Sequence, residues 1–208
     1  MDSAAELHGV HDVTDVPSIV RGAVLLGLLE AVIVLLFSLT TRFLDRPVET
    51  IVLAVLLLAA LAPVTLLPGI WTRARTIEGI AGAAGIGLGA TVVFLLVDVV
   101  LLQHIGTYTN RWWQIGGSNW WYHPIWWMTG TFLPWQGAWI LANQAERNGR
   151  ISAPAAYGTA IAFALVAAIV AIVIGFPGAR WNVPTFGIAF LPGLALATAL
   201  SALGTRRG

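Results

Sequence analysis

The 208-residue chain is 58% hydrophobic and 10% charged, with a mean hydropathy of +0.82, which is too apolar for a soluble domain to cover with a polar surface. Its net charge is +1, every basic residue is arginine, and no basic run is present, so neither charge nor pattern points to a nucleic-acid partner. The absence of cysteine removes disulfides, thiolate metal ligands and cysteine nucleophiles, leaving any metal site to His, Asp or Glu.

Residues 1–18, "MDSAAELHGVHDVTDVPS", form a polar, acidic tail. They lack the basic-then-apolar order of a cleaved signal peptide, so the first apolar segment is expected to stay as a helix. His8, His11 and Asp12 in this tail are either a weak metal group or simply solvated. From there a bilayer core about 30 Å thick, spanned by roughly 20 apolar residues in a helix, is the ruler. It predicts an all-α polytopic transmembrane bundle of about six spans over residues 19–204, followed by a short basic tail at 205–208. The spans are Ile19 to Thr41, Thr50 to Ile70, Ile77 to Leu102, Ile125 to Asn143, Ala155 to Phe176 and Thr185 to Leu203.

The first span carries Glu30 near its middle, in "GLLEAVIV", where an ionised, unpaired carboxylate costs roughly 2.5 to 3.5 kcal/mol. Glu30 is therefore protonated, paired or facing a polar cavity. The readings that stay open are a proton relay, an ion site, a partner contact, or a neutral side chain bonded to a neighbouring helix. The third span begins "GIAGAAGIGLGA", with Gly79, Ala83 and Gly87 on one i, i+4 row and Gly85 and Gly89 on another. Small residues at that spacing let helices approach closely in lipid, so Gly79, Gly85 and Gly89 read as a packing face, internal or against a partner. Asp98 lies about one turn inside the far end of this span, followed by Gln103 and His104. Asp98 and His104 are six apart and do not share a face of an ideal helix, which argues against a metal pair there.

The fourth span is the most interrupted, carrying Gly130, Pro134 and Gln136, and reads as kinked or partly re-entrant; without it five spans remain. It follows "NRWWQIGGSNWWYHPIWW", residues 110–127, which holds six of the ten tryptophans. Trp112, Trp113, Trp120, Trp121, Trp126 and Trp127 stand where an aromatic belt is expected at the water boundary. Their density, with Trp135 and Trp139 deeper in the span, also suits a platform for a partner subunit, lipid or a small apolar ligand. No GxSxG, HExxH or Walker motif is present, and no metal ligand set is expected within this chain.

In a six-span arrangement Arg21, Arg73, Arg75, Arg147, Arg150, Arg206 and Arg207 share one side with both termini, and Arg42, Arg46, Arg111 and Arg180 lie opposite. The bias predicts an inner (cytoplasmic) membrane protein with both termini in the cytoplasm.

The segment "NRWWQIGGSNWWYHPIWWMTGTFLP" resembles the corresponding stretch in the A subunits of copper membrane monooxygenases, the particulate methane, ammonia and short-chain hydrocarbon monooxygenases. "GATVVFLL" at 89–96, "GAWIL" at 137–141 and "GFPGARWNVPTFGIAFLP" at 175–192 agree with that family in order, so the resemblance covers about half the chain. The chain departs from the family in having six spans rather than seven, in Phe190 where the family has a His before Leu-Pro, and in having no counterpart, beyond Asn143, of the Asp after the fourth-span Pro. The resemblance implies a noncatalytic scaffold subunit of a hetero-oligomer oxidising ammonia or a small hydrocarbon, with copper on partner subunits and none in this chain. Two further readings rest on the residues alone: a proton- or cation-coupled transporter or channel using Glu30 and Asp98, and a structural subunit contacting quinone or pigment in a respiratory or photosynthetic complex.

Overall fold

Lipid supplies no hydrogen-bond partners, so each apolar run must close its backbone bonds within itself. A computed structural model of the protein, describing residues 11–108, 119–203 and 205, with the backbone alone for 119–124, builds every run as a helix. The elements are α1 (Val16–Phe43), α2 (Val48–Trp71), α3 (Ile77–Val97), which runs on through a π-helical turn at Asp98–Leu102, α4 (Asn119–Asn148), α5 (Ala153–Val173) and α6 (Val183–Ala202). Among the described residues five helices, all but α4, are long and apolar enough to cross a membrane. The protein is a membrane-embedded helical bundle.

Local chemistry sets the helix starts. Asp15, Ser152 and Asn182 accept from the backbone N–H of Ser18, Ala155 and Thr185, at 3.0, 3.4 and 2.9 Å. A proline follows each of these caps in the first turn, where its missing N–H costs nothing. The 28 residues of α1 extend about 42 Å, more than the thickness of the hydrocarbon core.

α1 and α3 run parallel, with α2 antiparallel to both. Gly22 meets Ile86, Gly27 meets Ala90 and Val93, and Ala31 and Val34 cluster with Phe94 and Leu95. The two small-residue rows of α3 serve different neighbours. Gly89 lies against Ala23 of α1, where an added Cβ would come within 2.7 Å, and Gly85 faces Ile19 loosely. Gly87 instead lies against the Gly130 carbonyl and Pro134 of α4. Gly79 differs from the expected packing role: the group facing it is the Asp12 carboxylate rather than another helix.

The interrupted fourth segment forms one continuous helix rather than a re-entrant piece. Pro134 removes the bond that the Gly130 carbonyl would accept, and that carbonyl sits against Gly87 of α3. The C-terminal half of α4 is the centre of the bundle. Leu133, Ala138, Ile140, Leu141, Ala142 and Asn143 are buried among α2, α3 and α6. A helix with so little lipid contact has no need of an all-apolar surface, which explains why the least apolar of the six occupies the middle. On the far side, Ala156, Ala160, Ala164 and Ala168 form a buried stripe on α5, and Gly193 of α6 lies directly on the Ala164 backbone.

Candidate functional site

At the C-terminal end of the seam between α1 and α3, polar groups form a knot. Asp98 opens the π-helical turn and is fully buried. The turn lets the Gln103 N–H donate to the Asp98 carbonyl at 2.9 Å, an i to i+5 bond that brings residue 103 onto the face of residue 98. Gln103 Nε2 then donates to Asp98 Oδ2 at 2.7 Å, and the Tyr108 hydroxyl donates to Oδ1. Both carboxylate oxygens are thereby engaged. α1 adds two ties to the same segment, since the Ser38 hydroxyl donates to the Thr107 carbonyl and the Arg42 guanidinium to the Gly106 carbonyl. Below the knot, Trp126 of α4 packs on Phe94 with ring centroids 4.6 Å apart. The C-terminal ends of α1 and α3 and the first half of α4 are thus fastened where the chain enters its tryptophan-rich segment.

Glu30 occupies the middle of α1, 5% exposed. Among the described residues its Oε2 has no hydrogen-bond partner, and it is the one carboxyl oxygen so placed. It lies roughly one helical turn deeper than Asp98, next to the Ala31 and Phe94 contact. The two expected intramembrane acids therefore share one seam in opposite conditions: Asp98 satisfied, Glu30 not.

The tryptophans divide. Trp112 and Trp113, and the side chains of Trp120 and Trp121, lie outside the described residues. Trp126 is half-buried, Trp127 and Trp135 are exposed, and Trp135 meets Phe132 edge-on at 6.5 Å. Trp139 is half-buried against the cluster of Ala74, Ile80, Ala83, Ala138 and Ala142.

One site residue emerges that sequence reasoning did not find. Asp12, read there as part of a tail, is a cap supplied from outside the helix it caps. Its carboxylate accepts from the backbone N–H groups of Arg75, Thr76 and Gly79 at 3.0, 2.9 and 3.0 Å and from the Thr76 hydroxyl at 2.6 Å. The Val13 N–H adds a bond to the Thr72 carbonyl at 2.8 Å. The bare Cα of Gly79 makes room for the carboxylate. His8 lies outside the described residues.

Donor chemistry can be compared with the needs of copper. Both Asp98 oxygens accept from Gln103 and Tyr108, and His104 Nδ1 is 3.1 Å from the Val99 carbonyl. Among the described residues no group of three His, Asp or Glu side chains converges. The described residues do not fit a copper ion, which needs several imidazole or carboxylate donors at one point.

Compared with known protein families, curated proteins and solved structures, the chain matches none of them.

Proposed function

We propose that the chain is a scaffold subunit of a hetero-oligomeric membrane complex, presenting its tryptophan-rich outer rim to partner subunits. The observation that carries this reading is the outer knot. Ser38, Arg42, Asp98, Gln103 and Tyr108 commit their polar groups to one another, to the segment 103–108 and to the end of α3. Such an arrangement stiffens a rim and leaves few of those groups free to act on a substrate. The resemblance to copper membrane monooxygenases supplies the partner chemistry: oxidation of ammonia or a small hydrocarbon, with copper held by ligands on the other subunits. The arginine bias supports an inner membrane location with both termini cytoplasmic.

The test is extraction from native membranes into nanodiscs, with mass spectrometry of the copurifying chains and copper analysis of the same sample. Partner membrane chains carrying copper are the expected result. A lone, metal-free chain overturns it.

The unpaired Glu30 oxygen favours a second reading, in which the α1–α3 seam conducts protons or cations with Glu30 as the relay. Glu30→Gln separates the two. In a scaffold it changes assembly at most modestly and leaves liposome proton or cation flux at the empty-vesicle level, as in the parent; in a pathway it abolishes a flux that the parent shows.

A further inference from the structure

At the end of the bundle opposite the knot, α1, the end of α2 and α3 enclose a groove of about 300 Å³. Ile19, Leu25, Trp71 and Ile86 give it an apolar wall, and Arg21 stands on its lining. Gly22 keeps it open, because a Cβ there would come within 3.0 Å of Ile86 and 3.3 Å of Trp71.

The charges around this groove are unevenly committed. The Asp12 carboxylate is taken up by four donors on the α2–α3 turn and the start of α3. The Asp15 carboxylate caps Ser18. The Thr72 hydroxyl, also on the lining, donates to the Pro68 carbonyl at 3.0 Å. Arg21 is exposed and, among the described residues, has no acidic partner. Arg73 and Arg75 add two more cations on the adjoining turn.

We infer that this groove binds an anionic phospholipid, with one acyl chain against Leu25, Trp71 and Ile86 and the phosphate on the Arg21 guanidinium. An arginine within the first turns of a membrane helix extends toward the headgroup level, where lipid phosphates supply the missing anion. The apolar wall offers nothing to a free anion but matches a hydrocarbon chain. Charge complementarity at the mouth and apolarity below it select one molecule carrying both; a zwitterionic lipid also brings a phosphate, but its ammonium offsets the negative charge offered to Arg21. The inference concerns the end away from the tryptophan-rich rim, and it stands or falls independently of the scaffold reading.

The experiment is native mass spectrometry of the full chain in mild detergent, titrated with phosphatidylglycerol or phosphatidylcholine of identical acyl chains, and separately with inorganic phosphate as competitor. The parent chain is expected to retain phosphatidylglycerol about fivefold more strongly than phosphatidylcholine, the weight of one arginine against anionic lipid. Arg21→Gln brings the two to parity, Arg21→Lys keeps most of the preference, and Arg150→Gln on the α4–α5 turn leaves it unchanged. Equal retention of the two lipids by the parent overturns the inference without recourse to any variant. So does a preference that survives in Arg21→Gln, or displacement of the lipid by inorganic phosphate, which would mark a simple anion site.

Discussion

Each end of α3 is organised by an aspartate, and the two do so in opposite electrostatic settings. Asp12 lies at the N-terminus of α3, where unpaired backbone N–H groups and the positive end of the helix dipole favour a carboxylate. Most of its donors are therefore main-chain groups. Asp98 lies toward the C-terminal end of the same helix, where the dipole opposes negative charge, and it is fully buried. There the backbone offers no spare N–H, so side chains must supply the bonds, and Gln103 and Tyr108 do. A carboxylate at a helix N-terminus needs only to arrive; one at the C-terminus needs a purpose-built set of donors.

The sharpest break of this contrast is Asp98→Ala. It removes two hydrogen bonds to a buried charged acceptor, from the exposed Gln103 amide and the half-buried Tyr108 hydroxyl, at a cost of about 3 kcal/mol, read as a fall in thermal unfolding temperature in detergent. A loss below that of Asp12→Ala would overturn the ranking. Asp12→Ala removes a cap and a favourable charge–dipole contact, a loss of about 2 kcal/mol. Its local signature is faster hydrogen exchange at the amides of Arg75, Thr76 and Gly79. Gly79→Ala places a Cβ where the Asp12 carboxylate lies, so the two substitutions together should cost clearly less than their sum, and additive losses would refute the clasp. Tyr108→Phe removes one donor of two and should cost about 1 kcal/mol, leaving Gln103 on Asp98.

The smallest effect is pH-dependent. Hydrogen bonds from the Ser18 backbone and then from its side chain hold the Asp15 carboxyl below its ordinary value of 3.8. A group lowered in the folded state contributes its stability above the ordinary value and loses it as pH falls through the lower, folded one. Acidification through that range should therefore raise exchange at the Ser18 amide while leaving the middle of α1 protected. Unchanged exchange there would show that the cap does little.

The contrast also shows where sequence reasoning reached and where it stopped. Asp98 is visible as an acid in an apolar run, yet its tie to Gln103 is not, because i and i+5 share a face only after a π-helical turn. Asp12 left no local trace at all. Its donors lie 63 to 67 positions away, and the nearer reading was a solvated tail. The glycine rows of α3 were legible in their four-residue spacing, but which neighbour each row meets was not. The tryptophans are legible as a group, and the geometry adds their separate neighbours: Trp126 on Phe94, Trp135 edge-on to Phe132, and Trp139 against the Ala74 and Ile80 cluster.

Composition and the apolar run lengths determine by themselves that this is an all-helical membrane protein and roughly where its helices lie, because a backbone in hydrocarbon has few ways to satisfy its own polar groups. They also mark Glu30 and Asp98, since charge is rare at that depth. Tertiary structure alone decides that α4, the least apolar helix, is the central one and that its proline does not break it. It decides too that Asp12 holds the start of α3, and that Asp98 is satisfied where Glu30 is not. Each of these depends on which surfaces distant helices present to one another, and periodicity along a single helix carries no information about its neighbours.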